Sequence, residues 1–342
     1  MSKLYEAMNN GSIPYIIGET AYIHEGDYKY LSKLSNKIIE GNCCDAIKFH
    51  IMKDLDSYIT KSHDLYKLYK NMMMTSNDWQ TILKKNHHYG IETIILADDR
   101  KAFEFINRNI KYIDAVEIHS VALNSIDHLR EAKKLNIPII LGVGGSDIKD
   151  IEYAVDYLSR EDILLMHGFQ NYPTKYQYIN LNRINRLKKK FNLPVGYADH
   201  TKWDDKNNEL ITIAGFMKGA NIIEKHISIN PGDKRIDYES SIDVNTMKSI
   251  KNKIDIINIA SGYGSFDISD YENIYSEMGP MKFTIVASTD IKIGDKITMS
   301  NITFKRTGDI SNTKQRDYKD MIGKVSKCNI NKDNLVTWGM IK

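Results

Sequence analysis

Eight short apolar segments, each followed by a longer stretch, constrain the fold of this chain more than any other feature of its sequence. The segments are rich in β-branched residues, as buried strands are, and span residues 15–19, 46–51, 93–97, 115–119, 138–143, 163–169, 193–198 and 221–226. Between and after them, apolar residues recur at helical spacing in residues 30–39, 79–88, 126–135, 148–158, 181–191, 210–218 and 247–259. The pattern predicts strands that alternate with helices.

The continuous apolar character of the strands, and their return through helices, favour parallel pairing with both faces of the sheet covered. Eight strand–helix units over about 260 residues fit a (β/α)8 barrel, whose usual size is ~250 residues. A doubly wound open sheet is the alternative, but it would more often carry a glycine-rich phosphate turn after an early strand. Here Gly142, Gly144 and Gly145 follow the fifth strand and lead into Ser146-Asp147, which is typical of a helix cap. We therefore predict an α/β fold built on a barrel.

The alternation ends after Ser261, and the remaining chain has a different pattern. We predict a barrel domain over residues 1–268, a linker over 269–283 and a small β-rich domain over 284–342. The last domain is expected to have short strands at 283–287, 290–295, 302–305 and 335–337, with a Gly-Asp turn at 294–295. A domain of that size buries a modest core, so we expect it to pack against a partner.

Composition narrows the class of protein. Of the 342 residues, 42% are hydrophobic and 27% are charged, which are ordinary values for a globular chain with a core. The net charge of +3 and the lack of a basic tail do not support nucleic-acid binding. No apolar run approaches the ~20 residues of a membrane helix, and Cys43, Cys44 and Cys328 are wrongly spaced for a disulfide scaffold. We expect a soluble cytoplasmic protein that binds neither nucleic acid nor a membrane.

The active site of a barrel lies at the C-terminal ends of its strands, and here those ends carry polar residues. Five of the ten histidines fall there. The strand-end residues are Glu19, Lys48, His50, Asp98, Glu117, His119, Gly142, Gly144, His167, Gln170, Asp199, His200, Glu224 and His226, and the loops add Tyr172, Asn180 and Asp237.

Two of these histidines, His200 and His226, end the seventh and eighth strands, which are neighbours in a barrel. Imidazoles on adjacent strand ends can share one divalent ion and leave positions open for water and substrate. A site with nitrogen and oxygen ligands suits Mn, Co, Mg or Zn, since no thiolate selects zinc. The alternative is that each histidine only makes a hydrogen bond within the barrel.

A lysine within an apolar strand indicates that an anion lies inside the barrel. Lys48 lies in the run 45–49 (DAIKF), where an inward ammonium is costly unless it meets an anion. The anion is either a substrate carboxylate or phosphate, or the side chain of Glu19 or Glu117 in a salt bridge inside the barrel. Glu19 itself could act as a general base or orient water.

These residues stand in motifs that resemble the bacterial sialic acid synthase family, which makes nonulosonic acids such as N-acetylneuraminic, legionaminic and pseudaminic acids. The resemblance covers about residues 15–342. Its motifs are ETAYIHEG at 19–26, KFH at 48–50, HGFQNYPT at 167–174, GYADHT at 196–201 and EKH at 224–226, with Asp237 and Ser241 following in register. The tail from Ile285 to Arg306 is similar to the small antifreeze-like (SAF) domain that ends these proteins.

The resemblance implies a barrel followed by a SAF domain, in a domain-swapped homodimer in which the small domain covers the partner's barrel mouth. It also implies a reaction that condenses phosphoenolpyruvate with the open-chain aldehyde of an N-acyl mannosamine-type sugar and releases phosphate. A divalent metal ion polarises the aldehyde in that reaction. Mn2+ is the expected ion, with Mg2+ or Co2+ as alternatives.

The resemblance further implies roles for individual residues. His200 and His226 would hold the metal, Glu19 would orient water or move a proton, and Arg306 of the other subunit would contact the acyl end of the sugar. Lys48 and Ser120 would contact phosphoenolpyruvate, while Gln170, Tyr172 and Asp237 would meet the metal shell or the sugar. Further substrate contacts are expected at His50, Glu117, Asp199 and Lys225.

The sequence departs from the family at the phosphate-binding positions. Glu117 stands where the family usually has a lysine, and the positions that usually carry hydroxyls are Ala97, Gly142 and Ala198. The family glutamate that follows Ser120 is Ala122. A phosphate needs the donors and cations that these changes remove.

Three functions therefore remain open. The first is a nonulosonic acid synthase with an altered phosphate site, in which His50 or His119 binds the phosphate. The second is a metal-dependent lyase, aldolase or epimerase that acts on a sugar or keto acid without phosphoenolpyruvate, with Glu117 and His119 as an acid/base pair. The third is a sugar-binding protein without catalysis, which has little need of a metal pair.

Overall fold

The computed structural model describes residues 2–169 and 171–342, which form two compact units, Met1–Gly262 and Tyr263–Lys342. In the first unit, eight parallel strands pair in sequence order, and β1 also pairs with β8, so the sheet closes into a barrel. The strands are β1 (Tyr15–Glu19), β2 (Ala46–Ile51), β3 (Glu92–Ala97), β4 (Ala115–Ile118), β5 (Ile139–Gly142), β6 (Ile163–Gly168), β7 (Val195–Asp199) and β8 (Ile222–His226). The predicted (β/α)8 fold is confirmed.

Helices connect and cover the strands. In the first unit they are α1 (Lys3–Asn9), α2 (Tyr28–Gly41), α3 (Leu55–Tyr58), α4 (Tyr66–Met72), α5 (Ser76–His88), α6 (Arg100–Arg108), α7 (Ile126–Lys133), α8 (Ile148–Leu158), α9 (Tyr176–Ile179), α10 (Asn182–Phe191), α11 (Asn208–Met217) and α12 (Val244–Ser261). Short 3-10 turns lie at Ile110–Tyr112, Ser120–Ala122 and Tyr238–Ser240. Seven of these helices were predicted from the sequence, namely α2, α5, α7, α8, α10, α11 and α12.

Helix α6 was not predicted, although the sequence contains a capping residue and apolar residues at helical spacing. Asp99 caps the helix by accepting a hydrogen bond from the backbone N–H of Ala102, and Ala102, Phe103 and Ile106 are buried. This spacing of apolar residues is the helical one. Helix α6 packs against β3 and α7 and supplies the connection between β3 and β4 that a barrel requires.

The main core lies between the barrel and its surrounding helices, where outward strand residues such as Ile16, Ile47 and Phe49 meet Leu34 and Leu83. A second core fills the barrel interior. It consists of Leu4, Ala7, Met8, Tyr15, Ile17, Ala46, Ile94, Ala115, Ile140, Leu164, Met166, Ala198 and Ile222. Both cores are made of residues that alternate along the strands, as the period of two requires.

Helix α1 contributes three residues to the interior core and was not predicted from the sequence. Two side chains at the beginnings of strands hold it in place. The Glu92 carboxylate accepts hydrogen bonds from the backbone N–H of Leu4 (3.1 Å) and from the Tyr15 hydroxyl (2.7 Å). The Asn221 amide donates to the backbone oxygen of Ala7 (2.6 Å). Helix α1 therefore closes the N-terminal end of the barrel.

The second unit contains the antiparallel strand pair β9 (Thr284–Ala287) and β10 (Ile302–Lys305), the helices α13 (Asp270–Asn273) and α14 (Tyr318–Met321), and 3-10 turns at Ile274–Ser276, Gln315–Asp317 and Trp338–Met340. Its core includes Ile285, Ile297 and Met321. The strands predicted at 290–295 and 335–337 are wrong, because these residues make only isolated bridges, Ile291 with Ile330 and Leu335 with Val286. Across the described residues of both units, none of the helices combines the length and apolar character needed to traverse a bilayer.

Candidate active site

The strand register places charged side chains side by side at the C-terminal end of the barrel. Glu19 of β1 pairs in register with Lys48 of β2 on one side and with His226 of β8 on the other. Because side chains alternate along a strand, Glu224 and His226 point to the same face. Lys48, Glu117 and Glu224 are all almost fully buried, although each is ionisable.

Glu19, His200 and His226 form a group whose ligand atoms all lie within 4.8 Å of one another. The Glu19 Oε2 and His226 Nε2 atoms are 3.3 Å apart, and the centroids of the two imidazole rings are 4.9 Å apart. All three side chains are buried. The structure thus brings together the two predicted metal ligands and adds Glu19, which the resemblance gave a different role.

The hydrogen bonding of the two histidines suits a divalent metal. His200 Nδ1 lies 3.2 Å from the backbone oxygen of Phe169, which can only accept, so Nδ1 carries the hydrogen and Nε2 keeps its lone pair. Burial, with the neighbouring charge of His226, lowers the pKa of His200 to about 3, so the ring is neutral. His226 Nδ1 is buried without a hydrogen-bond partner among the described residues. Two imidazoles and one carboxylate are a donor set that fits Mn2+, Mg2+ or Co2+.

Lys48 lies at the centre of three carboxylates inside the barrel. Its Nζ atom is 2.7 Å from Glu224 Oε2, 2.8 Å from Glu117 Oε2 and 3.3 Å from Glu19 Oε2. Of the two readings that the sequence left open for Lys48, the structure shows the salt bridge. The lysine is thus engaged by the protein itself.

These contacts shift the pKa values of the buried carboxyls in different directions. Burial opposes ionisation of Glu19, but Lys48 and His226 outweigh it and hold the pKa of Glu19 well below its usual value. Burial, with the charge of Glu19 nearby, raises the pKa of Glu224 well above its usual value, and burial also raises the pKa of Glu117. Burial disfavours the Lys48 ammonium, yet Glu117, Glu19 and Glu224 raise its pKa well above normal. Glu19 is therefore the carboxylate that carries the negative charge most firmly.

His50 extends the site on the side away from the two metal-binding histidines. Its Nε2 atom is 2.7 Å from Glu19 Oε1, so His50 is hydrogen-bonded to the carboxylate oxygen that does not face Lys48 and His226. The Tyr22 ring meets the His50 ring edge-on at 5.0 Å, and the Tyr22 hydroxyl donates to Asp98. Burial raises the pKa of Asp98 to about 6. Tyr22 was not singled out from the sequence, although it lies within the ETAYIHEG motif.

A small cavity of about 50 Å3 opens over these groups. The Tyr172 ring covers it, with its centroid 4.5 Å from that of His200 and 5.6 Å from that of His226. The lining residues are Glu19, Ala21, Lys48, His50, Glu117, His119, Gly142, Met166, Gly168, Tyr172, Ala198, His200, Glu224, His226 and Asp237. Most of the residues predicted for the site therefore meet in one cavity.

Asp199 and Lys225 do not line this cavity, contrary to their predicted role in substrate binding. They pair with each other behind the strands, with the Lys225 Nζ and Asp199 Oδ2 atoms 2.6 Å apart and both side chains fully buried. The Thr212 hydroxyl of α11 donates to the same carboxylate. Burial opposes its ionisation, but Lys225 and these hydrogen bonds lower the pKa of Asp199 to about 2. The pair joins β7, β8 and α11.

Ser120 and Arg306, which were also predicted for the site, are not among the described residues that line the cavity. Ser120 follows β4, and its backbone nitrogen lies 2.9 Å from where a Cβ on Gly142 would be. Arg306 is exposed in the second unit and donates from Nε to the backbone oxygen of Pro280 (2.7 Å). Gln170 lies outside the described residues.

Comparison with known proteins agrees with this architecture. The NeuB family model matches residues 38–266, and the SAF domain model matches residues 284–342. The chain is 30% identical to an uncharacterized protein of Methanocaldococcus jannaschii, over 97% of this chain and 95% of that one. It is 26% identical to the N,N'-diacetyllegionaminic acid synthase of Campylobacter jejuni, over 94% and 98% of the two chains. The N-acetylneuraminic acid synthetase structure from Leptospira borgpetersenii superposes with a TM-score of 0.70 at 22% identity, over 78% and 91% of the chains, and supports the fold.

Proposed function

The chain belongs to the NeuB family, and from that premise we propose that it is a nonulosonic acid synthase, an enzyme that forms a carbon–carbon bond. In the proposed reaction, C3 of phosphoenolpyruvate attacks the aldehyde carbon of an N-acyl mannosamine-type sugar, water adds at C2 and phosphate leaves. One observation carries the proposal: Glu19, His200 and His226 converge at the C-terminal ends of neighbouring strands, where they line a cavity.

The proposed chemistry uses groups that the cavity presents. Glu19, His200 and His226 would hold a divalent ion, for which Mn2+ is the first choice, and the ion would supply a Lewis acid for the sugar carbonyl. Glu19, whose pKa is low, stays ionised and can orient water or accept a proton through the His50 side of its carboxylate. Tyr172 excludes water from the imidazoles, and Asp237 offers the sugar a hydrogen-bond acceptor at the cavity edge.

The test is an assay of the full-length chain with Mn2+, a panel of N-acyl hexosamines, and either phosphoenolpyruvate or pyruvate. We expect a 2-oxo-3-deoxy acid product that is detected by mass spectrometry and disappears when a chelator removes the metal. Formation of no such product from any aldehyde with either donor would contradict the proposal. Phosphoenolpyruvate is the expected donor, and stoichiometric release of phosphate would identify it. Product from pyruvate without phosphate would instead favour the aldolase-type alternative.

We further propose that the protein works as a domain-swapped homodimer in which Arg306 of one subunit contacts the acyl end of the sugar in the other. The match of residues 284–342 to the SAF domain model supports the swapped arrangement. The Arg306 side chain is exposed, and its guanidinium donates to one backbone oxygen, that of Pro280. The Arg306→Ala variant should raise the KM for the sugar about tenfold and leave thermal stability unchanged, because an exposed side chain adds little to folding. An unchanged KM would remove Arg306 from the site.

Subunit mixing tests the swapped arrangement directly. If Arg306 acts across the dimer, mixing Arg306→Ala with His200→Ala subunits rebuilds one complete site in each mixed dimer. At limiting sugar, activity should rise to about a quarter of the wild-type value after subunit exchange. Lys305→Ala, which loses only an exposed pair with Asp333, is the control and should behave as wild type. If the mixture is no more active than the two variants assayed separately and added together, the swapped arrangement is contradicted.

A further inference from the structure

We infer that Asp199 and Lys225 are positioning residues for the metal site. Their buried ion pair holds together the ends of β7 and β8, and in this way it fixes the spacing of the two metal-binding imidazoles. The inference rests on the proposed function and adds to it a role for two residues that do not line the cavity.

The pair lies next to the two histidines in the sequence and in the sheet. Asp199 ends β7 and directly precedes His200. Lys225 directly precedes His226, the last residue of β8. Asp199 and Lys225 are also the last residues that pair in register between these two strands. Regular pairing of β7 with β8 therefore ends at this pair, one residue before the two histidines.

The carboxylate of Asp199 is held by more contacts than an ordinary salt bridge provides. Its Oδ2 atom lies 2.6 Å from Lys225 Nζ, and both side chains are fully buried. The same oxygen accepts a hydrogen bond from the Thr212 hydroxyl (2.7 Å). Its Oδ1 atom accepts from the Tyr197 hydroxyl (3.0 Å), and from the hydroxyl (2.7 Å) and the backbone N–H (3.1 Å) of Thr201. Because a buried carboxylate with these donors cannot turn without losing several of them, it is fixed in one orientation.

The donors come from both strands and from the helix behind them, with Lys225 in β8 and Thr212 in α11. Thr201 lies on the other side of His200 from Asp199, so its two hydrogen bonds to the carboxylate close a turn around that histidine. The network therefore holds the backbone of His200 and ties it to the neighbouring strand.

The two histidines differ in what else holds them. His200 Nδ1 lies 3.2 Å from the backbone oxygen of Phe169, and that hydrogen bond orients its ring. His226 Nδ1 has no hydrogen-bond partner among the described residues, although a histidine that binds a metal commonly has one there. The position of the His226 ring therefore depends on where the backbone of β8 lies, and Lys225 anchors that backbone to β7.

A metal site is sensitive to small displacements of its ligands. The ligand atoms of Glu19, His200 and His226 lie within 4.8 Å of one another. Such groups function when they are held within about 0.5 Å of the productive geometry. Residues that orient metal ligands from behind typically contribute about 10–100-fold to metal affinity. Loss of the pair should therefore weaken the binding of Mn2+.

The alternative is that the pair only holds the fold together, since breaking a buried ion pair from one side is destabilising wherever it lies. One measurement separates the two roles. A pair with a purely structural role changes the unfolding of the protein and leaves the Mn2+ affinity of the folded molecules unchanged. A positioning pair lowers that affinity as well.

The test is the double variant Asp199→Asn with Lys225→Gln, which removes both buried charges and keeps side chains that can form a hydrogen bond. Circular dichroism first establishes that the variant is folded. Calorimetric titration of the metal-free protein with Mn2+ then measures the Kd. We expect the Kd to rise by about 10–100-fold relative to wild type, with an unchanged stoichiometry.

Lys251→Met is the matched control, because it breaks an ion pair at the other end of the barrel. Lys251 Nζ lies 2.7 Å from Asp45 Oδ1 and joins α12 to the residue before β2. This variant should lower the thermal midpoint and leave the Kd for Mn2+ unchanged.

Thr212→Val is a milder variant that guards against misfolding of the double variant. It removes one hydrogen bond from the Asp199 carboxylate and retains the ion pair. The Kd for Mn2+ should rise about threefold, which is the effect of one hydrogen bond.

The outcomes separate this inference from the proposed function. A wild-type Kd in the folded double variant would overturn the inference and leave the proposed function standing, and so would a wild-type Kd in Thr212→Val if the double variant does not fold. If the wild-type protein binds Mn2+ and forms no product, the proposed function fails, and the Kd values of the variants still decide the inference. If the wild-type protein does not bind Mn2+, both fail.

Discussion

The variant His200→Ala should lose metal binding and reduce kcat/KM by roughly a thousandfold or more, because a Lewis acid contributes several kcal/mol to such a transition state. The ring supplies one of the two imidazoles of the metal group, and its Nδ1 atom lies 3.2 Å from the backbone oxygen of Phe169. The measurements are Mn2+ content after gel filtration and steady-state turnover. Full Mn2+ uptake with wild-type turnover would refute the metal site.

A matched control separates loss of the metal from loss of a buried imidazole. His167 is also a buried histidine at a strand end, but its Nε2 contacts the backbone oxygen of Ile179 (3.1 Å) and it does not line the cavity. His167→Ala should lower the thermal midpoint and still bind Mn2+ in full. His200→Ala should also lower the midpoint measured with a chelator, because it too removes a buried imidazole, but it alone should lose Mn2+ binding.

Replacing Lys48 by methionine should produce the largest loss of stability of any single substitution at the site. The change leaves Glu19, Glu117 and Glu224 buried without their shared ammonium, and breaking a buried ion pair from one side costs about 3–5 kcal/mol of unfolding free energy. The loss of unfolding free energy is measured by urea unfolding followed by circular dichroism. Lys202→Met is the control, since its exposed pair with Asp204 should contribute less than about 1 kcal/mol.

The pH dependence of this loss provides an independent check. Burial already raises the pKa of Glu117 and Glu224, and removal of the ammonium raises both further. A carboxyl whose pKa is higher in the folded state than in the unfolded state destabilises the fold as the pH rises above the unfolded value. The unfolding free energy that Lys48→Met loses relative to wild type should therefore be largest near pH 7 and decrease toward pH 4. A deficit that is constant over this range would mean that the carboxyls are not the cause.

The fold could be predicted from the sequence because its signal is local. Each of the eight strands is a short apolar segment between helices, and every predicted strand boundary lies within two residues of the observed one. Helix α1 could not be found in this way, since its role depends on the distant residues Glu92 and Asn221, which hold it across the end of the barrel. The short strands of the second unit failed because isolated bridges there replace regular pairing.

The candidate site was predicted less completely, and the errors follow from side-chain direction. Alternation along β8 places Glu224 and His226 inside the barrel, so Lys225 must point outward, and its partner Asp199 on β7 points outward with it. Applying the period of two to both strands would have removed this pair from the predicted substrate contacts. The environment of Lys48 was a different case, because no sequence pattern gives distances across a barrel interior.

The position of helix α1 has a consequence for the kinetics of the proposed reaction. Leu4, Ala7 and Met8 fill the N-terminal end of the barrel, so within the described residues of this unit the cavity is reached from the C-terminal ends of the strands. If the two substrates bind one above the other in the cavity, the deeper one must bind first, and an ordered kinetic mechanism is then the expected result.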